Sequence, residues 1–182
     1  MKLVTNFLDI EEKINVFRAN YQQHLATGAW NATMGIHQQM EWEVKNNIQG
    51  VNGDNNAKVL SKDLKGQWQY TYNSTARNVI KMKEWLHFVQ HMFSIFVNEP
   101  ARALSSVMTE SYKLSMAPTN SFLINTAATI AMQLIGSKEW LFGAINIQAT
   151  ETERLAELWK NLKTLQTSLE TSLKALNCEV LP

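Results

Sequence analysis

The sequence contains very little cysteine and few charged side chains. Among its 182 residues there is one cysteine, Cys178, so no internal disulfide can form and a reducing compartment is expected. Charged residues make up 18% of the chain, below the roughly 25% that is usual for soluble proteins. Asparagine and glutamine, with 17 and 11 copies, take their place. The polar faces are therefore rich in amides and weakly charged, which favours self-association.

Further absences exclude several classes of function. The formal net charge is +1 with acidic and basic residues interspersed, so there is no basic patch for nucleic acid. The segment Met1–Phe7 lacks the charged and then apolar pattern of a secretory signal. The most apolar window, residues 122–136, is too short and too rich in polar side chains to span a bilayer. We therefore expect a cytoplasmic protein without a transmembrane segment or a nucleic-acid partner.

No stretch alternates with the period of a strand, whereas several carry apolar residues at helical spacing. The patterns predict one all-α domain over residues 1–182, built from long amphipathic helices that form an antiparallel bundle or coiled-coil-like hairpins. One predicted helix, capped by Thr119 or Ser121, carries Leu123, Ala127, Ile130, Leu134 and Leu141. The predicted helices lie near residues 9–49, 57–97, 100–117, 120–147 and 150–176.

The longest apolar pattern lies between Trp68 and Phe96. Its residues follow one another at spacings of four and three, which is a heptad seam on one face of a helix. A second row joins from Trp85 onward, so the apolar arc is wider than one partner helix can cover. We predict that this face contacts an apolar surface or another copy of the chain, in a homo-oligomer. The predicted contact residues are Trp68, Tyr72, Val79, Met82, Trp85, Leu86, Phe88, Val89, Met92, Phe93, Ile95 and Phe96.

The sequence offers few candidates for chemistry. Glu84, His87 and His91 share a helical face, and Glu-x-x-His is half of a di-iron carboxylate motif, but the other half is missing. The helical wheel places this trio on the solvated side. Cys178 has no histidine or other base near it in the sequence to activate the thiol. We therefore predict a protein that is not an enzyme, with no catalytic residue, no metal site and no cofactor.

Several short motifs, in their order, resemble those of the phasins, the proteins that coat polyhydroxyalkanoate granules. An Ala19-Asn20 pair opens the first stripe, and Gly35 precedes a glutamine-rich segment. The segment from Asn56 to Asp63 is similar to the family's Leu-Ser-x-Lys-Asp motif, although it lacks the residue between Ser and Lys. Residues 117–121 fall where many phasins have a break rich in alanine and proline.

The resemblance implies a coat protein that lies on a polyester granule with its apolar helix faces against the polymer. Binding of this kind scales with the apolar area buried and requires no pocket. The protein would be cytoplasmic and granule-associated. Two alternatives remain at this stage. One is a self-assembling helical scaffold that never contacts a granule, and the other is a helical metalloprotein.

Overall fold

The computed structural model describes residues 14–15, 17–22, 35–51, 74–144 and 152–180. All regular secondary structure in these ranges is helical, which confirms the predicted all-α class. No helix within them combines the length and the apolar character that crossing a membrane requires. Residues 14–15 and 17–22 are helical and precede α1 (Ile36–Lys45), α2 (Thr75–Asn98), α3 (Leu104–Ser115), a short 3-10 turn (Ala117–Thr119), α4 (Phe122–Gln133), α5 (Lys138–Ala144) and α6 (Thr152–Ala175).

The described residues separate into two compact units. Unit A contains residues 83–144 and 152–167, and unit B contains residues 14–15, 17–22, 35–51, 74–82 and 168–180. Both α2 and α6 contribute residues to each unit. The expectation of a single domain over residues 1–182 stays a prediction.

The interior of unit A is built from apolar faces of α2, α3, α4 and α5. Their buried residues recur at the three- and four-residue spacing of a helix face, as the heptad pattern predicts for α2. Aromatic and methionine side chains dominate this interior. Its buried members include Leu86, Phe88, Val89, Met92, Phe93, Phe96, Leu104, Val107, Met108, Met132 and Phe142.

Helices α1 and α6 end in the same way. Asn47 and Asn177 follow the last turns with φ angles of 56° and 53°, in the left-handed region that asparagine tolerates. The residue after each asparagine donates its N–H to the carbonyl five residues earlier, 3.0 Å from Ile48 to Glu43 and 2.8 Å from Cys178 to Leu173. This is the Schellman arrangement, which satisfies helix-end carbonyls and stops the helix.

Several helix boundaries differ from those predicted. The single helix expected at 9–49 is interrupted at Gly35, whose extended backbone (φ −80°, ψ 172°) begins α1. Helix α1 ends at Lys45, because Asn47 turns the backbone out of the helix. The helix expected from Pro100 begins at Leu104. The helix expected at 120–147 is divided after Gln133, and the Ser137 hydroxyl accepts the Trp140 N–H at 3.3 Å where α5 begins. Local capping therefore overrides the apolar spacing that continued across the break.

Candidate functional site

Helix α4 carries an apolar face on the surface of the protein. We call Phe122, Leu123, Ile130 and Leu134 the α4 stripe. Their side chains are 86%, 77%, 59% and 81% exposed. Leu123, Ile130 and Leu134 are seven and four residues apart, so they lie along one side of the helix. They span about 16 Å of its length. The opposite side, with Ala128 and Met132, is buried.

The α4 stripe lies within a segment that has no charged residue. From Leu114 to Ser137 there is no Asp, Glu, Lys, Arg or His, and the flanking charges are Lys113 and Lys138. Exposed helix faces in soluble proteins are normally rich in charge. An uncharged surface can enter an apolar medium without the large cost of desolvating an ion. The segment therefore suits contact with a surface that excludes water.

A hydrogen-bonded cluster joins α3 to the first turn of α4. We call Tyr112, Asn120 and Asn125 the tip cluster. The Tyr112 hydroxyl lies 2.7 Å from Asn125 Oδ1 and accepts a bond from Asn120 Nδ2 at 3.0 Å. Asn125 Nδ2 donates to the carbonyls of Ala117 and Asn120 at 3.0 and 3.3 Å. Tyr112 is 3% exposed, so α3 holds the α3–α4 connection from within the fold.

The ammonium group of Lys138 lies over two aromatic rings of the unit A interior. Its Nζ lies 4.9 Å from the centre of the Phe96 ring and 5.9 Å from that of Phe142, within cation–π range. The two rings lie 5.4 Å apart. The same ammonium group donates to the Pro100 carbonyl. The first charged residue after α4 is therefore already bound to the protein rather than pointing freely into solvent.

The structure places most of the predicted contact residues of α2 inside the protein. Val79 is buried in unit B, and Met82, Trp85 and Ile95 are half-buried. Trp68 and Tyr72 lie outside the described residues. For all twelve predicted contact residues, contact with an apolar surface or a second copy of the chain stays a prediction. The fully buried members in unit A are Leu86, Phe88, Val89, Met92, Phe93 and Phe96.

A polar cleft of about 400 Å³ lies on the surface of unit A. Its lining comes from the outer face of α3, from Arg102 before it and from the end of α4: Arg102, Ser105, Ser106, Thr109, Glu110, Lys113 and Gln133. Arg102 contacts Glu110 and lies 3.3 Å from Glu99. The hydrogen bond to Glu110 raises the pKa of the Arg102 guanidinium. Because two carboxylates balance its charge, this guanidinium is poorly suited to capture an anion.

Unit B contains a fully buried carboxylate. Glu43 is 0% exposed, and its two oxygens accept the N–H groups of Thr75 and Ala76 at 2.5 and 3.0 Å. The side-chain amide of Asn20 donates to the Thr75 hydroxyl at 3.4 Å. Burial and then the negative charge of Glu43 raise the pKa of the Cys178 thiol. The arrangement caps a helix and leaves Cys178 protonated, which does not make a nucleophile.

The Glu84, His87 and His91 trio is only partly on the wet side. His87 is exposed and its ring lies 4.8 Å from that of His91, but Glu84 is 6% exposed, so its predicted solvation was wrong. The wheel placed Glu84 opposite the apolar arc, on the solvated side, but packing in unit A covers its side chain. Among the described residues, no group of three His, Cys, Asp or Glu side chains could hold a metal ion.

Comparisons with known proteins point to lipid transfer. A family model described as "Glycolipid transfer protein (GLTP)" matches residues 2–147. The fold is similar to the crystal structure of mouse ceramide-1-phosphate transfer protein in its apo form, with a TM-score of 0.67 and 16% identity. That similarity covers 100% of this chain and 86% of the mouse chain. No curated protein sequence gives a significant match.

These matches contradict the resemblance to phasins. Membership of the phasins, coating of polyester granules and granule association were all wrong, because the family model covers most of the chain. The alternatives of a scaffold and of a metalloprotein are not supported either. The prediction that the protein is not an enzyme is confirmed by a family defined by lipid transfer.

The motifs behind the resemblance have local structural roles. Asn20 is bonded to Thr75, the Gly35 N–H donates to Gln38 at 2.8 Å, and Asn120 belongs to the tip cluster. The segment from Asn56 to Asp63 lies outside the described residues. Caps and turns of this kind recur in unrelated helical proteins, so their order does not identify a family.

Proposed function

Because the chain belongs to the glycolipid transfer protein family, we propose that it binds one membrane lipid and carries it between membranes. The observation that carries this proposal is the α4 stripe. A protein that takes a lipid out of a bilayer has to approach the bilayer, and an uncharged apolar helix face suits that approach. The mouse protein of similar fold is also named a transfer protein, for ceramide-1-phosphate.

The α4 stripe is placed to enter the membrane interface without burying a charge. Each large apolar side chain that leaves water contributes up to roughly 1.5–3 kcal/mol. The stripe has four such side chains, so its burial contributes up to roughly 6–12 kcal/mol toward docking. No positive patch accompanies it within residues 114–137. We therefore propose that docking is hydrophobic and takes place on neutral membranes as well as on charged ones.

The interior of unit A is the place we propose for the apolar part of the lipid. Its buried side chains include the methionines Met92, Met108 and Met132. Methionine is unbranched and polarisable, so it adapts to irregular apolar shapes. A core with this composition can part around a hydrocarbon chain and close again after release. Phe96 and Phe142 border the same interior, where Lys138 covers their rings.

Two candidates define the class of headgroup. The family is named for glycolipids, and the mouse protein is named for ceramide-1-phosphate. A sugar is neutral, whereas a phosphate monoester carries about −1.5 to −2 charges at pH 7. We propose that this chain transfers a sphingolipid with a glycosylated or phosphorylated headgroup, and a direct comparison of the two identifies which.

The experiment is an intervesicle transfer assay with fluorescent lipids. Donor vesicles of phosphatidylcholine would carry glucosylceramide, ceramide-1-phosphate or labelled phosphatidylcholine in turn. We expect protein-dependent transfer of one of the first two lipids and little transfer of the third. Leu123→Asn with Ile130→Asn should lower the rate while leaving the melting temperature unchanged, because both side chains are exposed.

Thr126→Asn is the matched control, since Thr126 is exposed and polar on the same helix. Its transfer rate should equal that of the wild type. Absence of transfer for all three lipids would contradict the proposal. Loss of self-association rather than of vesicle binding in the Leu123 and Ile130 variant would show that the stripe pairs two copies instead.

A further inference from the structure

We propose that Tyr112 and Asn125 are positioning residues that hold the tip of α4 in the shape that meets a membrane. The tip is the segment Ala117–Leu123, which joins α3 to α4 and begins the α4 stripe. The proposal rests on the proposed function, and it assigns a task to polar residues that are not themselves suited to membrane contact.

The tip needs support that its two large apolar side chains do not provide. Phe122 and Leu123 are 86% and 77% exposed, so they gain little from packing against the protein. The turn at Ala117–Thr119 is one short 3-10 segment, a form with poor hydrogen-bond geometry. Its backbone bonds from Thr119 and Asn120 are 3.2 and 3.3 Å long. Local structure alone therefore holds the tip weakly.

The tip cluster provides this support from the buried side. The Asn125 side-chain oxygen accepts a hydrogen bond from the Tyr112 hydroxyl. Its side-chain nitrogen donates to the carbonyls of Ala117 and Asn120. The Tyr112 hydroxyl also accepts a hydrogen bond from the Asn120 amide, so it joins the middle of the tip to the first turn of α4. Tyr112 is 3% exposed and lies in α3, so its hydroxyl reaches the tip from the packed interior of unit A. Ser121 then caps α4 by accepting the Ile124 N–H at 3.4 Å.

The tip cluster would raise membrane affinity by increasing the fraction of molecules whose tip has the conformation that docks. If the tip moves among several shapes, only the fraction that presents Phe122 and Leu123 together can dock. The apparent dissociation constant then rises in inverse proportion to that fraction. The cluster thus strengthens docking without touching the membrane.

The test measures adsorption of the full chain to phosphatidylcholine vesicles by sedimentation, for wild type, Tyr112→Phe and Asn125→Ala. We expect each variant to weaken adsorption about fivefold to tenfold, because Tyr112→Phe removes two hydrogen bonds of the cluster and Asn125→Ala removes three. Thr129→Ala is the matched control. Its hydroxyl bonds the Asn125 carbonyl within α4 at 2.8 Å and lies outside the cluster, so adsorption should not change.

A double-mutant cycle separates positioning from general destabilisation. The same two variants are made in a Phe122→Asn, Leu123→Asn background, in which Ile130 and Leu134 still give measurable adsorption. If the cluster acts through the tip, Tyr112→Phe and Asn125→Ala should change adsorption less than about twofold there. An equal loss in both backgrounds would overturn the proposal, because the cluster would then act on the fold as a whole.

The outcomes distinguish failure of the proposed function from failure of the positioning role. Wild-type protein that does not adsorb to vesicles would contradict the proposed function. Wild-type protein that adsorbs, with variants that adsorb equally well, would overturn only the positioning role. If Tyr112→Phe fails to fold, Asn125→Ala carries the test, since Asn125 is only half-buried.

Discussion

Glu43 caps the helix that begins at Thr75, which lies 32 residues further along the chain. One carboxylate oxygen accepts the Thr75 N–H, and the other accepts that of Ala76. A negative charge at a helix N-terminus is favourable because the free N–H groups carry positive partial charge. These two hydrogen bonds explain how the Glu43 carboxylate is tolerated at 0% exposure in unit B.

We predict that Glu43→Ala lowers the free energy of unfolding by about 3 kcal/mol, since hydrogen bonds to a charged group contribute roughly 1.5–3 kcal/mol each. Glu43→Gln retains one acceptor oxygen and should cost less. Urea unfolding followed by circular dichroism gives both values. Glu41→Ala is the control, because Glu41 pairs with Lys45 at 3.1 Å on the surface, where such pairs contribute about 0.5 kcal/mol. Equal losses for Glu41 and Glu43 would contradict the capping role.

The two left-handed asparagines give a second prediction. Asn47→Gly and Asn177→Gly should leave stability nearly unchanged, because glycine adopts positive φ freely. Valine at either position should cost about 1–2 kcal/mol, the usual penalty of the left-handed conformation. Asn161→Val, at an exposed position inside α6, is the comparison that separates this effect from helix propensity. Thermal unfolding of the five variants measures the difference.

Cys178 should react slowly with iodoacetamide at pH 8 in the native protein and rapidly in denaturant. Burial and Glu43 raise the pKa of its thiol, and the thiolate is the reactive form. A raised folded pKa contributes stability that is present below the thiol's ordinary pKa and is lost as pH rises through the folded pKa. Stability should therefore fall in alkaline solution, and less so in Cys178→Ser. Glu43→Gln should speed native labelling, and an unchanged rate would exclude the proposed electrostatic effect.

Salt should have little effect on adsorption to neutral vesicles. The α4 stripe lies in a charge-free segment, so ionic screening has no attraction to weaken. Sedimentation with phosphatidylcholine vesicles at low and high salt should give partition coefficients that agree within about twofold. A steep fall with salt would point to a cationic contact outside residues 114–137.

Leu86→Asp should unfold unit A, whereas Val97→Asp should be tolerated. Both residues lie in α2, but Leu86 is 1% exposed and Val97 is 54% exposed. An unpaired carboxylate at the buried position costs several kcal/mol, on the order of the whole stability of a domain. Circular dichroism and gel filtration of the two variants compare them directly. Similar behaviour of both would mean that the buried face of α2 has been assigned wrongly.

Helical periodicity predicted the fold class and the apolar face of α2, and the structure buries Leu86, Phe93 and Phe96 of that face within unit A. The same periodicity marks Leu123, Ile130 and Leu134, which are exposed. Spacing shows that a face is apolar, but what covers that face depends on contacts between distant residues. Glu43 illustrates the same limit, because its partner Thr75 is remote in sequence. Two local signals marked the α4 surface, the apolar window at residues 122–136 and the absence of charge from residues 114–137.

The charge-free segment also determines how this surface can be observed. Trypsin cuts after lysine and arginine, so it cleaves at Lys113 and Lys138 and leaves everything between them as one peptide. Reagents that modify amines or carboxylates find no target there. Docking would therefore leave a footprint made with such reagents unchanged, even when the entire α4 stripe is covered. Mapping the contact requires probes that insert into C–H bonds, or peptic fragments in hydrogen exchange.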